Sequence, residues 1–288
     1  MNEMNVTLLR NRLNEIASIP NQRWMGELSE RKKQELEFHD RDCDQKRIQS
    51  LDRKDFNKYY GNRKFYRGVS LSREYVDRWI TEHIWNRVFL DYACGNGSYA
   101  INAAKAGAIL SLGLDLSPVS IENAKREALH QGVADNTVFI VADAEKTLLP
   151  DNSIDIMICS GMLHHLDLSY AFPEMRRILK PGGKILAVEA LNYNPVIRLY
   201  RFLTPQMRTH WEKNHILSLE DVKFAKRFFN VGEIKFWHIA SILSPYIMTA
   251  LPVLNVIDGL LTRIPFVRLM AWTFTFELIK HENDQKNF

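Results

Sequence analysis

The sequence predicts an α/β protein with a mostly parallel β-sheet, and three observations support this prediction. Short apolar runs alternate with amphipathic helical segments from residue 88 onward. The segment 88–100, VFLDYACGNGSYA, combines an apolar strand, a glycine turn and the start of a helix. Carboxylates stand at the ends of three apolar runs, at Asp91, Asp115 and Asp143. Because α/β sheets bind ligands at the carboxyl ends of their strands, the same pattern predicts a ligand site there.

Seven strands are predicted, over 88–93, 109–115, 138–142, 154–160, 184–191, 231–239 and 272–280. The last of them alternates apolar and polar residues, which predicts a strand at an edge of the sheet. Helices are predicted over 98–106, from Ser117-Pro118 onward, over 170–179 and over 219–229. Serine is a good helix cap and proline is tolerated in a first turn, so Ser117-Pro118 marks a helix start. Ser218 with Asp221 is close to a capping box.

Residues 1–85 are predicted to form a helical extension or lid, followed by one domain over 86–288 with insertions at about 192–217 and 240–270. Residues 1–50 have a helical pattern, and 28–49 are dense in charges of both signs. Such a segment is typical of a solvated helix rather than a basic arm that binds nucleic acid. Ser70 or Ser72 is the predicted cap of a helix that runs to about residue 85.

The connection 240–270 is unusually apolar. From 237 to 261 its only acidic, basic or histidine residues are His238 and Asp258, which raises the question of a membrane span. Pro245, Pro252 and Gly259 interrupt the segment, and strand patterns flank it on both sides. We therefore expect a helical hairpin that covers a substrate pocket or dips into a membrane surface.

Composition restricts the classes of protein further. The chain has 288 residues, a net charge of +4 and 46% hydrophobic residues, which is ample for a core. Its three cysteines form no C-x-x-C pair, so no disulfide framework or zinc site is indicated, and a cytoplasmic setting is expected. The N-terminal residues do not have the pattern of a secretory signal. Both flanks are basic and the centre is acidic, which is typical of ordinary solvated surface but also suits an anionic substrate or membrane.

Three motifs resemble those of class I S-adenosylmethionine-dependent methyltransferases. Residues 91–97 have the form D-x-x-C-G-x-G of their first motif, residues 139–144 (FIVADA) end a strand with Asp-Ala, and residues 178–185 (ILKPGGKI) resemble the segment that leads into their fifth strand. Order and spacing over 86–190 are similar to the methyltransferase type 11 group, which includes enzymes of quinone and small-molecule methylation. The resemblance implies a Rossmann-like, seven-stranded sheet with an antiparallel last strand.

The resemblance also implies a cofactor, S-adenosylmethionine, and a set of residues that bind it. Asp91 is expected to face the amino-acid end of the cofactor, directly or through water. Asp115 is expected to accept hydrogen bonds from both ribose hydroxyls. Asp143 and the Ala144 N–H are expected to bind the adenine, and the Ser160 carbonyl to bind the methionine amino group. The remaining expected contacts are the backbone at Ala93, Gly95, Asn96 and Gly97 and the side chain of Leu116.

His164 and His165 follow the fourth strand, at the methyl end of the expected cofactor site. A histidine there is suited to deprotonating a hydroxyl near neutral pH, and His165 is the preferred candidate for this base. The alternative is that the pair orients the loop. Tyr60, Tyr193 and Arg198 are candidate substrate-binding residues, with Arg201 as a second cation that would clamp a carboxylate or phosphate. Their alternative roles are core packing for the tyrosines and exposed helix surface for the arginines.

The expected reaction is methyl transfer to a small lipophilic or amphipathic molecule, with oxygen favoured over carbon and nitrogen. No nucleic-acid partner and no metal are expected, because neither a basic module nor a His/Asp/Glu cluster is apparent. Peripheral membrane contact through 240–270 is considered, and the oligomeric state is left open.

Two alternative functions remain. G-x-G-x-x-A at 95–100 also fits a dinucleotide-binding oxidoreductase, although no Tyr-x-x-x-Lys pair follows the fourth strand. The other is a protein that binds the cofactor without turnover.

Overall fold

The computed structural model describes residues 3–282 and contains one seven-stranded sheet. The strands are β1 Val88–Tyr92, β2 Leu110–Asp115, β3 Thr137–Val141, β4 Ile154–Ser160, β5 Leu179–Ala190, β6 Asn230–Trp237 and β7 Thr273–Ile279. Their order is β3-β2-β1-β4-β5-β7-β6, and β7 is antiparallel to both of its neighbours. The predicted fold class, a mostly parallel sheet with an antiparallel last strand, is confirmed.

β1 lies at the centre of the sheet and is buried along its whole length, as expected for a parallel strand covered on both faces. Its side chains alternate between two cores. Leu90 packs in the core that includes the helices α1 Glu3–Ala17 and α9 Leu168–Ile178, whereas Phe89 packs with α6 Ser70–His83 and α7 Ser98–Lys105. The strand order reverses between β1 and β4, so a crevice opens at their carboxyl ends.

The remaining helices follow the predicted pattern closely. α8 Pro118–His130 begins after Ser117, whose hydroxyl accepts the Ser120 N–H. α12 Leu219–Ala225 begins with the expected capping box of Ser218 and Asp221. The N-terminal region is helical, as predicted, and comprises α1 and then α2 Asn21–Glu27, α3 Glu30–Cys43, α4 Gln45–Ser50 and α5 Arg53–Tyr60. The predicted insertion at 192–217 contains α10 Pro195–Leu203 and α11 Glu212–His215.

The prediction that the last strand lies at an edge is wrong. β7 is paired on both sides and β6 forms the edge. The alternation of polar residues in β7 is misleading because two of those residues, Thr275 and Glu277, accept indole N–H groups inside the protein. Trp237 Nε1 donates to Thr275 Oγ1 at 3.1 Å, and Trp79 Nε1 donates to Glu277 Oε1 at 3.1 Å.

Two predicted boundaries are also wrong. α6 begins at Ser70 with Val69 as its N-cap and has no side-chain cap. Ser72 bonds elsewhere, because its hydroxyl lies 2.7 Å from Nε2 of the buried His238. β5 begins at Leu179 rather than at residue 184, since Leu179 pairs with Ile154 before the Pro-Gly-Gly turn. Pairing with a neighbouring strand thus extends β5 through a segment that has the composition of a turn.

The apolar connection 240–270 contains one α-helix, α13 Leu251–Leu261, and isolated 3-10 turns at Ser241–Leu243, Met248–Ala250 and Val267–Met270. The predicted hairpin of two helices is therefore wrong, because Pro252 stands in the first turn of α13 and the preceding residues form only single turns. Within residues 3–282 no helix has the length and apolar character that a bilayer crossing requires. The buried carboxylate of Asp258 attaches α13 to the end of β6 by accepting the N–H groups of residues 239–241.

Replacing Asp258 by alanine should lower the free energy of unfolding by about 2–4 kcal/mol, because one buried and two part-buried N–H groups lose their carboxylate acceptor. Urea unfolding followed by circular dichroism measures the change. Asp135→Ala, at an exposed position, is the control and should change the value by less than about 0.5 kcal/mol. Equal effects of the two substitutions would contradict this account of the connection.

Candidate active site

The turn after β1 has a backbone conformation that its sequence makes possible. Ala93, Gly95 and Gly97 all have positive φ angles, of 56°, 50° and 76°. A Cβ on Gly97 would also lie 2.5 Å from the Phe139 ring, so glycine is required there for space as well as for conformation. Ala93 adopts the left-handed region without being glycine, and such local strain is common at functional sites.

Two carboxylates hold this turn. Asp115, at the end of β2, accepts the N–H of Gly95 at 2.8 Å and that of Ser117 at 2.9 Å. Asp91 lies buried beneath the turn and accepts the Ala100 N–H at 3.2 Å. The pKa of Asp91 is raised to about 8, chiefly by burial; the Asp115 charge acts in the same direction and the hydrogen bond from the Ala100 N–H opposes both. Burial likewise raises the pKa of Asp115.

A cavity of about 780 Å³, including its open mouth, lies over the carboxyl ends of β1, β2 and β4. We call it the sheet-edge cavity. Eight residues predicted from the sequence line it together, namely Ala93, Gly95, Asp115, Leu116, Asp143, Ala144, Ser160 and His165. Asp91 and Gly97 lie behind the lining, and Asn96 is exposed and accepts a bond from Asn123.

Helix α3 forms the roof of the sheet-edge cavity; the sequence predicted a helical extension or lid over 1–85 but assigned no residue of α3 to the site. The prediction of a wholly solvated helix over 28–49 is wrong, because one face of α3 is fastened to the site. Lys32 Nζ lies 2.5 Å from Asp143 Oδ2, and Arg31 bonds Glu145 Oε1 at 2.5 Å. The Asp143 carboxylate, expected to bind adenine, is therefore already paired with a cation. One pattern in the sequence could have indicated this face of α3. Glu35, His39 and Cys43 are spaced four residues apart, and all three line the cavity.

Glu189, in β5, organises the loop after β4 and was also missed by the sequence reasoning. Its side chain is buried, and its carboxylate accepts the N–H groups of Met162 at 2.9 Å and Leu163 at 2.7 Å. It also binds His164 Nδ1 at 2.6 Å. An acidic residue inside the apolar run 185–191 was the signal that pointed to a buried role.

His164 and His165 have different partners and different charge preferences. Burial alone lowers the pKa of His164, but the Glu189 carboxylate outweighs burial and the net pKa lies above its usual value. Burial and the adjacent His164 charge lower the pKa of His165, although Glu35 opposes them. Glu35 Oε2 lies 2.8 Å from His165 Nδ1. The surroundings therefore favour the cationic form at His164 and the neutral form at His165.

A second cavity, of about 950 Å³ including its mouth, lies on the other side of this histidine pair. We call it the apolar cavity. Aromatic and aliphatic side chains form most of its wall, with five polar or charged residues among them: Asn62, His164, Arg201, Arg208 and Glu212. Arg208 Nε lies 3.4 Å from Glu212 Oε1, whereas Arg201 donates to the Leu191 carbonyl at 3.3 Å. Burial, and then the charge of Arg208, lower the pKa of Arg201 to about 10.

The three predicted substrate residues do not line either cavity. Tyr60 is buried against the N-terminal helices, where its hydroxyl donates to the Arg41 carbonyl at 3.3 Å. Tyr193 accepts the Leu219 N–H at 3.0 Å, so it supports the start of α12. Arg198 is exposed, because α10 lines the apolar cavity with residues 196, 197, 200 and 201 and position 198 points away from that face. Arg201, not Arg198, is the arginine of α10 that faces a cavity.

The expectation that no His/Asp/Glu cluster exists is wrong for the tertiary structure. Glu35, His39 and His165 bring their ligand atoms within 4.8 Å of one another, and so do His164, His165 and Glu212. The sequence could not reveal these sets, because α3 is more than 100 residues from the histidine pair and Glu212 is more than 40 residues from it. Glu35 Oε1 is buried without a hydrogen-bond partner, so the first set has one unsatisfied acceptor.

Comparisons with known proteins identify the central part of the chain. Residues 90–187 match the family model of a methyltransferase domain. The 27-O-demethylrifamycin SV methyltransferase of Amycolatopsis mediterranei is 36% identical over 97 residues, which are 33% of this chain and 36% of that protein. The ubiquinone/menaquinone biosynthesis C-methyltransferase UbiE of Rickettsia bellii is 36% identical over 110 residues, which are 36% of this chain and 44% of that protein.

A solved structure extends the likeness to the fold. The geranyl diphosphate C-methyltransferase from Streptomyces coelicolor A3(2) has a TM-score of 0.54 and 16% identity, covering 72% of this chain and 76% of that one. This chain spans well under two thirds of the curated relatives it matches. The resemblance to class I S-adenosylmethionine-dependent methyltransferases, predicted from three motifs, is confirmed for this central region.

Glu35→Gln should lower the pKa of His165 further, because the variant removes the carboxylate that favours the imidazolium form. The pKa is measured by NMR titration of the labelled histidine side chains. Glu37→Gln, at an exposed position of the same helix, serves as the control and should leave the His165 titration unchanged. A His165 pKa that rises in Glu35→Gln would refute the assigned hydrogen bond.

Proposed function

We propose that this chain, which carries a class I methyltransferase domain, transfers a methyl group from S-adenosylmethionine to a small amphipathic molecule. One observation carries the proposal. His165 lines the sheet-edge cavity, His164 lines the apolar cavity, and their ring centroids are 4.2 Å apart. The two cavities therefore meet at the histidine pair, with polar walls on one side and apolar walls on the other.

The sheet-edge cavity suits the cofactor in position and in chemistry. It lies at the point where the strand order reverses. The Asp115 carboxylate at the end of β2 is placed there to accept hydrogen bonds from hydroxyl groups. Asp91 is a buried carboxylate whose described hydrogen bonds come from backbone N–H groups, so a cationic ligand nearby would stabilise its ionised form. When bound, S-adenosylmethionine supplies an electrophilic methyl group on a positively charged sulfur.

His165 is the proposed general base. Its Nδ1–H donates to Glu35, which leaves the Nε2 lone pair available to accept a proton. The lowered pKa keeps this ring neutral at pH 7, as a base must be before reaction. The acceptor hydroxyl would give its proton to Nε2 of His165 as the methyl carbon passed from sulfur to oxygen, and the broken carbon–sulfur bond would leave the demethylated product as a neutral thioether. Oxygen remains the favoured acceptor atom for this reason, although two of the similar proteins are named as C-methyltransferases.

The apolar cavity is the proposed acceptor site. Phe65, Tyr66 and Trp272 supply aromatic walls, which favour a lipophilic body. Arg201 is largely buried in the same wall, and within residues 3–282 no carboxylate forms an ion pair with it. The charge of Glu212 also acts on Arg201, but Glu212 forms its ion pair with Arg208. The largely buried Arg201 guanidinium can therefore offer paired N–H donors to a carboxylate or phosphate of the ligand. The acceptor class is accordingly an amphipathic anion.

Asp115→Asn should weaken binding of S-adenosylmethionine and of its demethylated product by about 10- to 100-fold, because charged hydrogen bonds to two ribose hydroxyls are lost. Isothermal titration calorimetry measures both affinities, with Asp135→Asn as an exposed control. The thermal midpoint of each variant shows whether the turn still folds. Binding of NAD(P)H in place of S-adenosylmethionine would overturn the proposal in favour of an oxidoreductase.

Arg201→Gln should weaken binding of 11-(dansylamino)undecanoic acid, a fluorescent amphipathic anion, by about tenfold or more, because the buried charge partner of its carboxylate is removed. Arg198→Gln is the matched control on the same helix, and we expect less than a twofold change. Fluorescence titration gives both dissociation constants. Equal affinities in the two variants would show that Arg201 does not hold the anionic group.

A further inference from the structure

Three segments surround the mouth of the apolar cavity and contact one another there. They are the 3-10 segment Gly61–Gly68, helix α10 and the chain over 241–266. Phe65 joins them, since its ring centroid is 5.7 Å from that of Tyr200 and 6.4 Å from that of Tyr246. Lys64 Nζ also donates to the Tyr246 hydroxyl at 3.0 Å. The three segments therefore form one continuous surface, which we call the mouth surface.

The mouth surface is strongly apolar. Of the 21 large hydrophobic side chains exposed among residues 3–282, 15 belong to its three segments. On α10 these are Val196, Leu199, Phe202 and Leu203, and the chain over 243–266 contributes ten more. Scattered exposed hydrophobic residues are ordinary, but their concentration in one surface marks an interaction site. Here that surface frames the entrance of a cavity that is itself apolar.

The charges of the mouth surface have one sign. Over 56–73, 191–211 and 239–272 the sequence contains a single acidic residue, Asp258, and that residue is buried. The three segments themselves carry six lysine and arginine residues, five of which are exposed, namely Arg63, Lys64, Arg67, Arg198 and Arg263. Apolar side chains interspersed with cations, without exposed acids, match the interface of an anionic bilayer.

We propose that the mouth surface docks on an anionic lipid bilayer and that the apolar cavity takes its ligand from that bilayer. Apolar side chains of α10 and α13 enter the acyl boundary, while the surrounding cations contact lipid head groups. An amphipathic anion then passes from the lipid into the cavity with its charged end leading toward Arg201. This last step rests on the proposed function, whereas docking itself does not depend on it.

The test is flotation of the full chain with vesicles of phosphatidylcholine alone or with one quarter phosphatidylglycerol. The double variant Leu203→Glu with Leu260→Glu alters the mouth surface at positions 66% and 59% exposed. Its matched control, Leu129→Glu with Leu8→Glu, makes the same change at positions 72% and 61% exposed elsewhere. We expect the wild type and the control to float with the anionic vesicles, less so at high salt, and the mouth variant to lose at least tenfold in binding.

Two results would overturn docking. One is equal flotation of the mouth variant and its control, and the other is no flotation of the wild type with anionic vesicles.

Two further measurements are made in parallel. Sedimentation velocity is run without vesicles, and a dimer that is abolished only in the mouth variant would assign the surface to self-association instead. Calorimetry with S-adenosylmethionine is done on every variant. If the wild type binds the cofactor but not the vesicles, docking is rejected and the proposed function stands. If the wild type does not bind the cofactor, the proposed function is rejected.

Discussion

The buried carboxylate of Glu189 is the constraint on which the arrangement of both cavities depends. It accepts two backbone N–H groups of the loop after β4 and binds His164, so one side chain fixes the backbone and a ring together. The two consecutive histidines then line different cavities. His164 lines the apolar cavity, and His165 lines the sheet-edge cavity. The same carboxylate stabilises a cationic His164, whose charge in turn favours a neutral His165. Position and charge state thus have one physical origin.

Helix α3 completes the sheet-edge cavity through contacts that are only partly exposed to solvent. The pairs of Lys32 with Asp143 and of Arg31 with Glu145 have side chains that are mostly buried, so water screens them less than it screens surface pairs. Glu35 connects the same helix to His165. The roof of the cavity and the proposed base therefore share a hydrogen-bond network, and a shift of α3 would alter the environment of the base.

The two cavities have complementary chemistry. The sheet-edge cavity contains carboxylates, among them Glu35, Asp115 and Asp143, which suit a cationic ligand. The apolar cavity has aromatic walls and the buried cation Arg201, which suit an amphipathic anion. A reaction between a positively charged donor and an anionic, lipophilic acceptor would thus have each partner in a separate environment, with the histidine pair between them. The apolar character continues outward onto the mouth surface.

The sequence by itself determined the features that depend on local backbone chemistry. The seven strands, the glycine turn, the Ser117 and Ser218 caps and the position of Asp115 at a strand end could all be predicted, because periodicity and backbone conformation act over a few residues. Tertiary structure decided the rest. The roof by α3, the role of Glu189, the interior position of β7 and the choice of Arg201 over Arg198 depend on contacts between distant segments. Those contacts are set by packing and by satisfaction of buried polar groups, which no local pattern records.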